Sequence, residues 1–211
     1  MENTVIWNGV DLTEFSPDGD ESPPPDRVRV QVVEGHLKGG FEIGLEIAAG
    51  FAAALQKRVN LPVELVITGE VNQTDIQSLA QHYPKLNINW TGVVAPKLIP
   101  ALNRQAHLFL STDLHAACPN SVIEALACGT PVAAFATGAL PELVMGDSGR
   151  VVEYGNDAWR AELPRFEPLA EAVLEVLKEQ GRFRRSARRV AEEHFDLGKM
   201  CAAYRQVLLP L

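Results

Sequence analysis

Cysteine is scarce in this chain of 211 residues. Its three cysteines are Cys118, Cys128 and Cys201, and no two of them form a CxxC pair. An odd number without such a pair argues against a disulfide scaffold and fits a reducing cytoplasm. We therefore interpret each cysteine as a small buried hydrophobic residue rather than as a ligand or a nucleophile.

Positive charge is also in short supply, since 19 Lys and Arg face 27 Asp and Glu for a formal net charge of -8. The sequence thus lacks the strongly basic footprint of a nucleic-acid-binding protein. One helical segment concentrates five arginines: Arg182, Arg184, Arg185, Arg188 and Arg189. We interpret them as a solvated face, with Arg188–Glu192 and Arg189–Glu193 at i,i+4 spacing. The alternative is peripheral contact with an anionic membrane or lipid acceptor.

Long hydrophobic runs are missing as well. The most apolar stretch, 125–140, is interrupted by Gly129, Pro131 and Gly138, and it is too short to cross a bilayer. The chain starts with polar and acidic residues, which predicts that no signal peptide is present. We expect a cytoplasmic protein, in contact at most with the inner face of a membrane.

The chain is otherwise composed like a globular protein, with 46% hydrophobic residues. The segment 16–26 carries four acids and four prolines but no aliphatic side chain, which indicates a solvated arm. We divide the chain into 1–26, a linker segment with this acidic arm, and 27–211, one domain with helices at its C-terminal end.

Strand-like and helical patterns alternate along 27–211. Strands are predicted at 28–33, 63–68, 87–91, 107–111, 132–135 and 150–152. Helices are predicted at 40–58, 74–82, 96–105, 121–128, 141–145, 167–179, 182–194 and 198–209. This alternation predicts an α/β fold, a Rossmann-like parallel sheet with helices on both faces. Because ligands of such sheets bind beyond the carboxyl ends of the strands, three loops are candidates for a site.

The first loop, 34–40, contains Gly35, His36, Lys38 and Gly39 ahead of a predicted helix. Backbone N–H groups, a helix N-terminus and a lysine suit a phosphate group. The motif is neither GxGxxG nor a Walker A loop, so a plain strand-to-helix turn is an equal alternative.

The second loop leads into Asn120 and Ser121, and Ser121-x-x-Glu124 has the spacing of a capping box. Glu124 is therefore either a helix cap or a carboxylate that accepts hydrogen bonds from the hydroxyls of a ribose. The third loop, with Thr137 and Gly138, allows another close backbone approach to a ligand but, taken alone, favours a simple turn.

Residues 119–144, PNSVIEALACGTPVAAFATGALPELV, resemble the donor-site signature of the family 4 retaining glycosyltransferases, which have the two-domain GT-B fold. Residues 4–15 resemble the segment that joins the two halves of those enzymes, and 195–204 resemble their closing helix. The resemblance covers the whole chain and implies the C-terminal, donor-binding half of such an enzyme, beginning at the linker.

The resemblance also implies roles for individual residues. Lys38, with Gly39, would contact the donor diphosphate, and Glu124 would hold the ribose hydroxyls. Gly138 would approach the sugar or the phosphates through its backbone, and Gly92 and Val93 would border the base. The co-substrate would be a nucleoside-diphosphate sugar, UDP- or GDP-linked, with no further cofactor. No metal is implied, because no DxD pair follows a predicted strand.

Two departures from the family pattern matter for the function. The family has two glutamates separated by seven residues, but Ala116 stands where the first should be. The family's Gly-Arg is also changed, since His36 follows Gly35 in a shorter loop. Despite these departures, the resemblance implies the donor-binding half of a sugar transferase, and we expect this half to be inactive without its acceptor-binding half. The alternatives are a non-catalytic nucleotide-sugar-binding or interaction module and a GT-B epimerase.

Overall fold

The computed structural model describes residues 4–37 and 42–209. Within these ranges, six parallel strands form one sheet in the order β3-β2-β1-β4-β5-β6. The strands are β1 (Val28–His36), β2 (Val63–Glu70), β3 (Asn87–Gly92), β4 (Leu108–Leu110), β5 (Val132–Phe135) and β6 (Gly149–Val152). The chain reverses its direction of progress between β1 and β4, so a crevice opens where these two strands end.

Eight α-helices are present in the described ranges. They are α1 (Ile43–Gln56), α2 (Gln73–His82), α3 (Ile99–Arg104), α4 (Asn120–Ala127), α5 (Leu140–Leu143), α6 (Phe166–Lys178), α7 (Gln180–His194) and α8 (Leu197–Leu208). The predicted Rossmann-like α/β fold is confirmed. The helix predicted at 96–105 is instead a 3-10 turn, Pro96–Leu98, followed by the short α3.

Two hydrophobic cores lie on opposite faces of the sheet. Because successive side chains of a strand point to opposite faces, Leu108 and Leu110 join the core beneath α1 and α6. Phe109, between them, joins the core beneath α4 and α7. Continuous apolar runs such as that of β4 are thus buried on both faces, as expected of strands inside a parallel sheet.

The segment 4–15 packs onto the C-terminal helices. Val10 is buried and forms two backbone hydrogen bonds around Asp196, one with Phe195 and one with Leu197. The ring of Trp7 meets that of Phe195 edge to face at 6.5 Å. The acidic arm that follows is exposed at 17–20, but Ser16 is buried, and Arg104 forms an ion pair with Glu21 at 2.8 Å.

The interpretation of the arginine cluster as a solvated face is wrong for two of its members. Arg184 donates to two backbone carbonyls of the segment before β4, and Arg188 donates to three others as well as to Glu192. These long side chains stabilise the packing by donating hydrogen bonds to backbone carbonyls that are distant in sequence. Arg185 and Arg189 are exposed, and neither has an ion-pair partner within 4.0 Å among the described residues.

The cysteines differ in exposure. Cys128 is buried, as predicted, and burial raises the pKa of its thiol to about 12. Cys118 is half-buried. The prediction is wrong for Cys201, which is exposed because it lies on α8, a helix with no buried residue.

Candidate functional site

Two adjoining cavities open at the carboxyl edge of the sheet, beside the ends of β1, β4, β5 and β6. The first, called here the acid-lined cavity, has a volume of about 320 Å³ and is lined by Glu34, Leu37, Ile43, Gly44, Thr112, Asp113, Leu114, His115, Ala158, Trp159 and Ala161. The second, the outer cavity, has about 560 Å³ and is lined by Leu114, His115, Ala136, Thr137, Gly138, Tyr154, Asn156, Asp157, Ala158 and Trp159. They share the rings of His115 and Trp159.

An irregularity of β1 positions Glu34. The pairing register of β1 with β2 shifts between Val33 and His36, which is the mark of a β-bulge. Gly69 of β2 faces this point with φ +146°, and a Cβ on it would lie 1.8 Å from the carbonyl oxygen of Glu34. Only glycine fits there, so β2 permits the bulge that places Glu34 at the cavity wall.

The acid-lined cavity holds two carboxylates of raised pKa. Burial, with a smaller contribution from the charge of Asp113, raises the pKa of Glu34 to about 7. Burial also raises the pKa of Asp113, and the charge of His115 acts in the opposite direction. Two partly desolvated like charges favour ligands that donate hydrogen bonds or carry positive charge.

Trp159 stands at the mouth of both cavities. Its ring stacks on that of His115 with centroids 4.4 Å apart and an angle of 32°, although the residue is 86% exposed. The carboxylate of Asp157 accepts hydrogen bonds from the backbone N–H groups of Trp159 and Arg160, at 3.0 and 3.3 Å. The left-handed conformation of Ala161, φ 53°, ends this 3-10 turn.

The second and third loops are joined directly. The hydroxyl of Thr137 donates to the carbonyl of Asp113 at 2.7 Å, and the N–H of Ala139 donates to the carbonyl of Ala116 at the same distance. Gly138 has φ +52°, and a Cβ on it would lie 2.1 Å from the oxygen of Ala116. The close packing of the two loops therefore explains why residue 138 is glycine.

The first loop is only partly described. Lys38 and Gly39 lie outside the described residues, and for His36 the structure gives the backbone at the end of β1. Gly35 is exposed, and a Cβ on it would meet nothing within 4 Å. Leu37 contributes to the acid-lined cavity. The described part of this loop thus lies at the same sheet edge as the other two.

The capping-box interpretation of Glu124 is wrong. Helix α4 begins at Asn120, its N-cap is Pro119, and no side chain caps it. Glu124 therefore lies one turn inside the helix, where its carboxylate is beyond reach of the free N–H groups. Burial, followed by the charge of Glu14, raises the pKa of Glu124 to about 7. Glu124 thus faces the segment 4–15, and it is absent from the described linings of both cavities.

The remaining predicted residues lie around this region. Asn120 is exposed and accepts a hydrogen bond from the side chain of Asn8 at 3.0 Å, while Ser121 is half-buried at the start of α4. Gly92, with φ +66°, ends β3, and the exposed Val93 follows it. Strand β3 is the edge strand of the sheet and lies two strands from β1. At about 4.8 Å per strand, they lie roughly 10 Å or more from the crevice.

Comparison with known proteins identifies the family. The family described as "Glycosyl transferases group 1" matches residues 39–179, two thirds of the chain. The chain belongs to the group 1 glycosyl transferases. This glycosyltransferase chain is 32% identical, over 119 residues, to a GDP-mannose-dependent alpha-(1-6)-phosphatidylinositol dimannoside mannosyltransferase of Mycobacterium tuberculosis. The match covers 56% of this chain and 29% of the relative.

Solved structures share its fold. A glycosyltransferase from Rickettsia africae superposes with a TM-score of 0.75 at 17% identity over 99% of this chain and 58% of the other. HepE from Anabaena, in complex with UDP-glucose, superposes with a TM-score of 0.71 at 19% identity over 99% and 57%. These likenesses show the Rossmann-like fold of GT-B glycosyltransferases. The chain spans little more than half of these proteins and under a third of the curated relative.

Four residues that line these cavities were not among the candidates predicted from the sequence: Glu34, Asp113, His115 and Trp159. Asp113 and His115 follow β4, so the strand-end rule could have identified them. Trp159 lies in a 13-residue connection between β6 and α6 that contains a short polar run ahead of the tryptophan. Glu34 lies at the start of the predicted first loop, but nothing in the sequence marks the bulge that exposes its side chain to the cavity.

Across 4–37 and 42–209, no three His, Cys, Asp or Glu side chains come together in a way that could hold a metal ion. No helix in the same ranges is long and apolar enough to span a membrane.

Proposed function

We propose that this chain is the donor-binding half of a retaining glycosyltransferase. It would bind a nucleoside-diphosphate sugar and, together with an acceptor-binding half, pass the sugar to a hydroxyl acceptor. The observation that carries the proposal is the meeting of the three loops at the β1/β4 crevice, two of them containing glycine, next to the segment 119–144. The family match over 39–179 supports it.

In this proposal the residues predicted from the sequence bind and orient the donor. Glu124 accepts hydrogen bonds from the two ribose hydroxyls. Hydroxyl donors favour an ionised carboxylate, so donor binding is expected to lower the raised pKa of Glu124. The start of α4 and Lys38 stabilise the negative charge that develops on the diphosphate as it leaves. Gly138 approaches the donor through its backbone.

Two donor chemistries have support from the relatives. The mycobacterial relative is named as GDP-mannose-dependent, and HepE was solved with UDP-glucose. We therefore propose a UDP- or GDP-linked sugar as co-substrate. Gly92 and Val93, both exposed at the end of β3, are proposed to border the base.

Helix α8 supports the presence of a second half. None of its residues is buried, and it exposes Leu197, Tyr204, Val207 and Leu208, each 39–71% accessible. Exposed apolar side chains at this spacing form a stripe that is normally covered. We propose that the acceptor-binding half covers it, and that the isolated chain transfers no sugar because nothing positions the acceptor.

Peripheral contact with an anionic membrane is proposed only for Arg185 and Arg189. Both are exposed on one face of α7, whereas Arg184 and Arg188 are engaged in backbone contacts. Binding to vesicles that contain anionic lipid, and its loss in the double alanine variant, would test this contact.

A specific observation favours a non-catalytic binding module as the second candidate. The buried Ala116 replaces a carboxylate of the family pattern, and its carbonyl is engaged by Ala139. Such a module would bind donor without passing on its sugar, even when an acceptor-binding half is supplied.

Calorimetric titration with UDP, GDP and ADP tests the proposed function. We expect saturable binding of UDP or GDP, weakened in Glu124→Gln by about 1–3 kcal/mol through loss of charge-assisted hydrogen bonds. Glu142→Gln, which changes an exposed carboxylate of α5, is the matched control. Absence of binding by all three nucleotides would refute the proposal. Acceptor-dependent release of nucleotide by the chain alone would refute its dependence on a second half.

A further inference from the structure

The acid-lined cavity has a chemistry that a diphosphate cannot satisfy. Glu34 and Asp113 lie in its wall close enough for their charges to interact, and both are partly desolvated. An anionic phosphate placed between them would meet repulsion from each. Carboxylates of this kind accept strong hydrogen bonds from hydroxyl groups instead. The charge of the cavity thus favours an uncharged, hydroxyl-rich part of a ligand.

The size of the cavity limits what it can hold. Its volume of about 320 Å³ lies at the lower end of the roughly 300–1,000 Å³ typical of small-molecule sites. A complete sugar nucleotide would overfill it, whereas a single pyranose ring fits. The outer cavity, of about 560 Å³, continues past the same rings toward Gly138 and offers room for the diphosphate.

The shared wall supplies a flat aromatic surface. Trp159 is 86% exposed, yet its ring is fixed against His115 from one side. Its turn is braced, since Asn156 donates to the carbonyl of Leu163 at 2.7 Å and Arg165 donates to that of Tyr154 at 3.0 Å. A large exposed ring on a braced turn presents its surface to a ligand at little cost in conformational entropy. The C–H groups on one face of a pyranose ring pack well against such a surface.

We propose that the acid-lined cavity binds the glycosyl ring of the donor, with Trp159 stacked on one face of the ring and Glu34 and Asp113 accepting hydrogen bonds from its hydroxyls. This inference rests on the proposed function and adds the residues that recognise the sugar. The diphosphate then lies outside this cavity, on the side of Gly138 and the start of α4. Glu34, Asp113 and Trp159 determine which sugar is accepted.

The test compares nucleotides with and without sugar. The intact chain is titrated calorimetrically with UDP, UDP-glucose, GDP and GDP-mannose, and the ratio of Kd without sugar to Kd with sugar is taken for each pair. Trp159→Ala should lower this ratio about 3- to 10-fold, through loss of the ring stacking. Glu34→Gln should lower it about 10-fold through loss of a charge-assisted hydrogen bond, while affinity for the free diphosphate stays equal or rises.

Two further variants complete the design. Arg160→Ala changes the neighbouring exposed side chain of the same turn and should leave the ratio unchanged. Trp159→Phe keeps an aromatic face and should restore part of the ratio lost in Trp159→Ala. Circular dichroism verifies that each variant is folded.

The outcomes separate the two proposals. The sugar assignment is overturned if the Kd ratio is unchanged in both Trp159→Ala and Glu34→Gln, or if the wild-type ratio is one for both nucleotide pairs. In either case, nucleotide binding by the wild type would still support the donor-binding function. Failure of wild type to bind any of the four probes overturns both.

Discussion

Replacing Glu34 by glutamine should make the protein more stable at alkaline pH. The pKa of this carboxyl rises from 4.5 to about 7 in the folded chain. Because the folded state holds the proton more tightly, the free energy of unfolding falls as the pH rises from 4.5 through 7. Each whole pKa unit corresponds to about 1.36 kcal/mol, so ionisation of Glu34 lowers the free energy of unfolding by about 3 kcal/mol in total. Glutamine removes the charge while keeping the shape.

The measurement is urea-induced unfolding of both proteins between pH 4.5 and pH 8.5. We expect equal stability near pH 4.5 and a variant that is more stable by about 3 kcal/mol near pH 8. Glu142→Gln, which changes an exposed carboxylate of α5, serves as the matched control. A difference for Glu34→Gln that does not change with pH, or a wild type that is the more stable at pH 8, would refute the assignment of a desolvated carboxylate.

Three other expectations concern packing and binding. Gly138→Ala should lower the free energy of unfolding by more than about 2 kcal/mol, because φ is +52° and a Cβ would clash with the carbonyl of Ala116. Denaturant-induced unfolding measures this loss of stability, and an unchanged free energy would contradict the contact between the two loops. Arg188→Ala should cost about 2–3 kcal/mol by leaving backbone carbonyls unpaired, whereas Arg185→Ala should stay within about 0.5 kcal/mol. Lys38→Ala should weaken binding of UDP but not of uridine, and the loss should shrink with added salt; equal losses for both ligands would exclude a diphosphate contact.

The fold was predictable because its signals are local and repeated. Apolar runs such as VELVIT and HLFLS are buried on both faces, and helical patterns separate them, so a parallel sheet with right-handed crossovers follows from general rules. The arginines of α7 were harder to predict. The pattern of charges alone does not predict that Arg184 and Arg188 donate hydrogen bonds to backbone carbonyls more than sixty residues away in sequence.

The site was only partly predictable for similar reasons. The strand-end rule pointed to the loops that meet at the crevice, but the capping-box spacing of Ser121 and Glu124 did not reveal that α4 begins at Asn120. Glu34 reaches the cavity through a β-bulge opposite Gly69, a feature of strand pairing that no single segment encodes. The pairing of Trp159 with His115 likewise joins two connections 44 residues apart.

Mapping of nucleotide binding by NMR tests the central claim most directly. Backbone amide shifts of the isotope-labelled chain are followed during titration with UDP and with GDP. We expect the largest changes at the described residues of the three loops, 35–37, 113–121 and 136–138, and around Glu124, with little change at the opposite sheet edge, where β1 and β4 begin. Changes concentrated at that opposite edge, or none with either nucleotide, would contradict a donor site at the β1/β4 crevice.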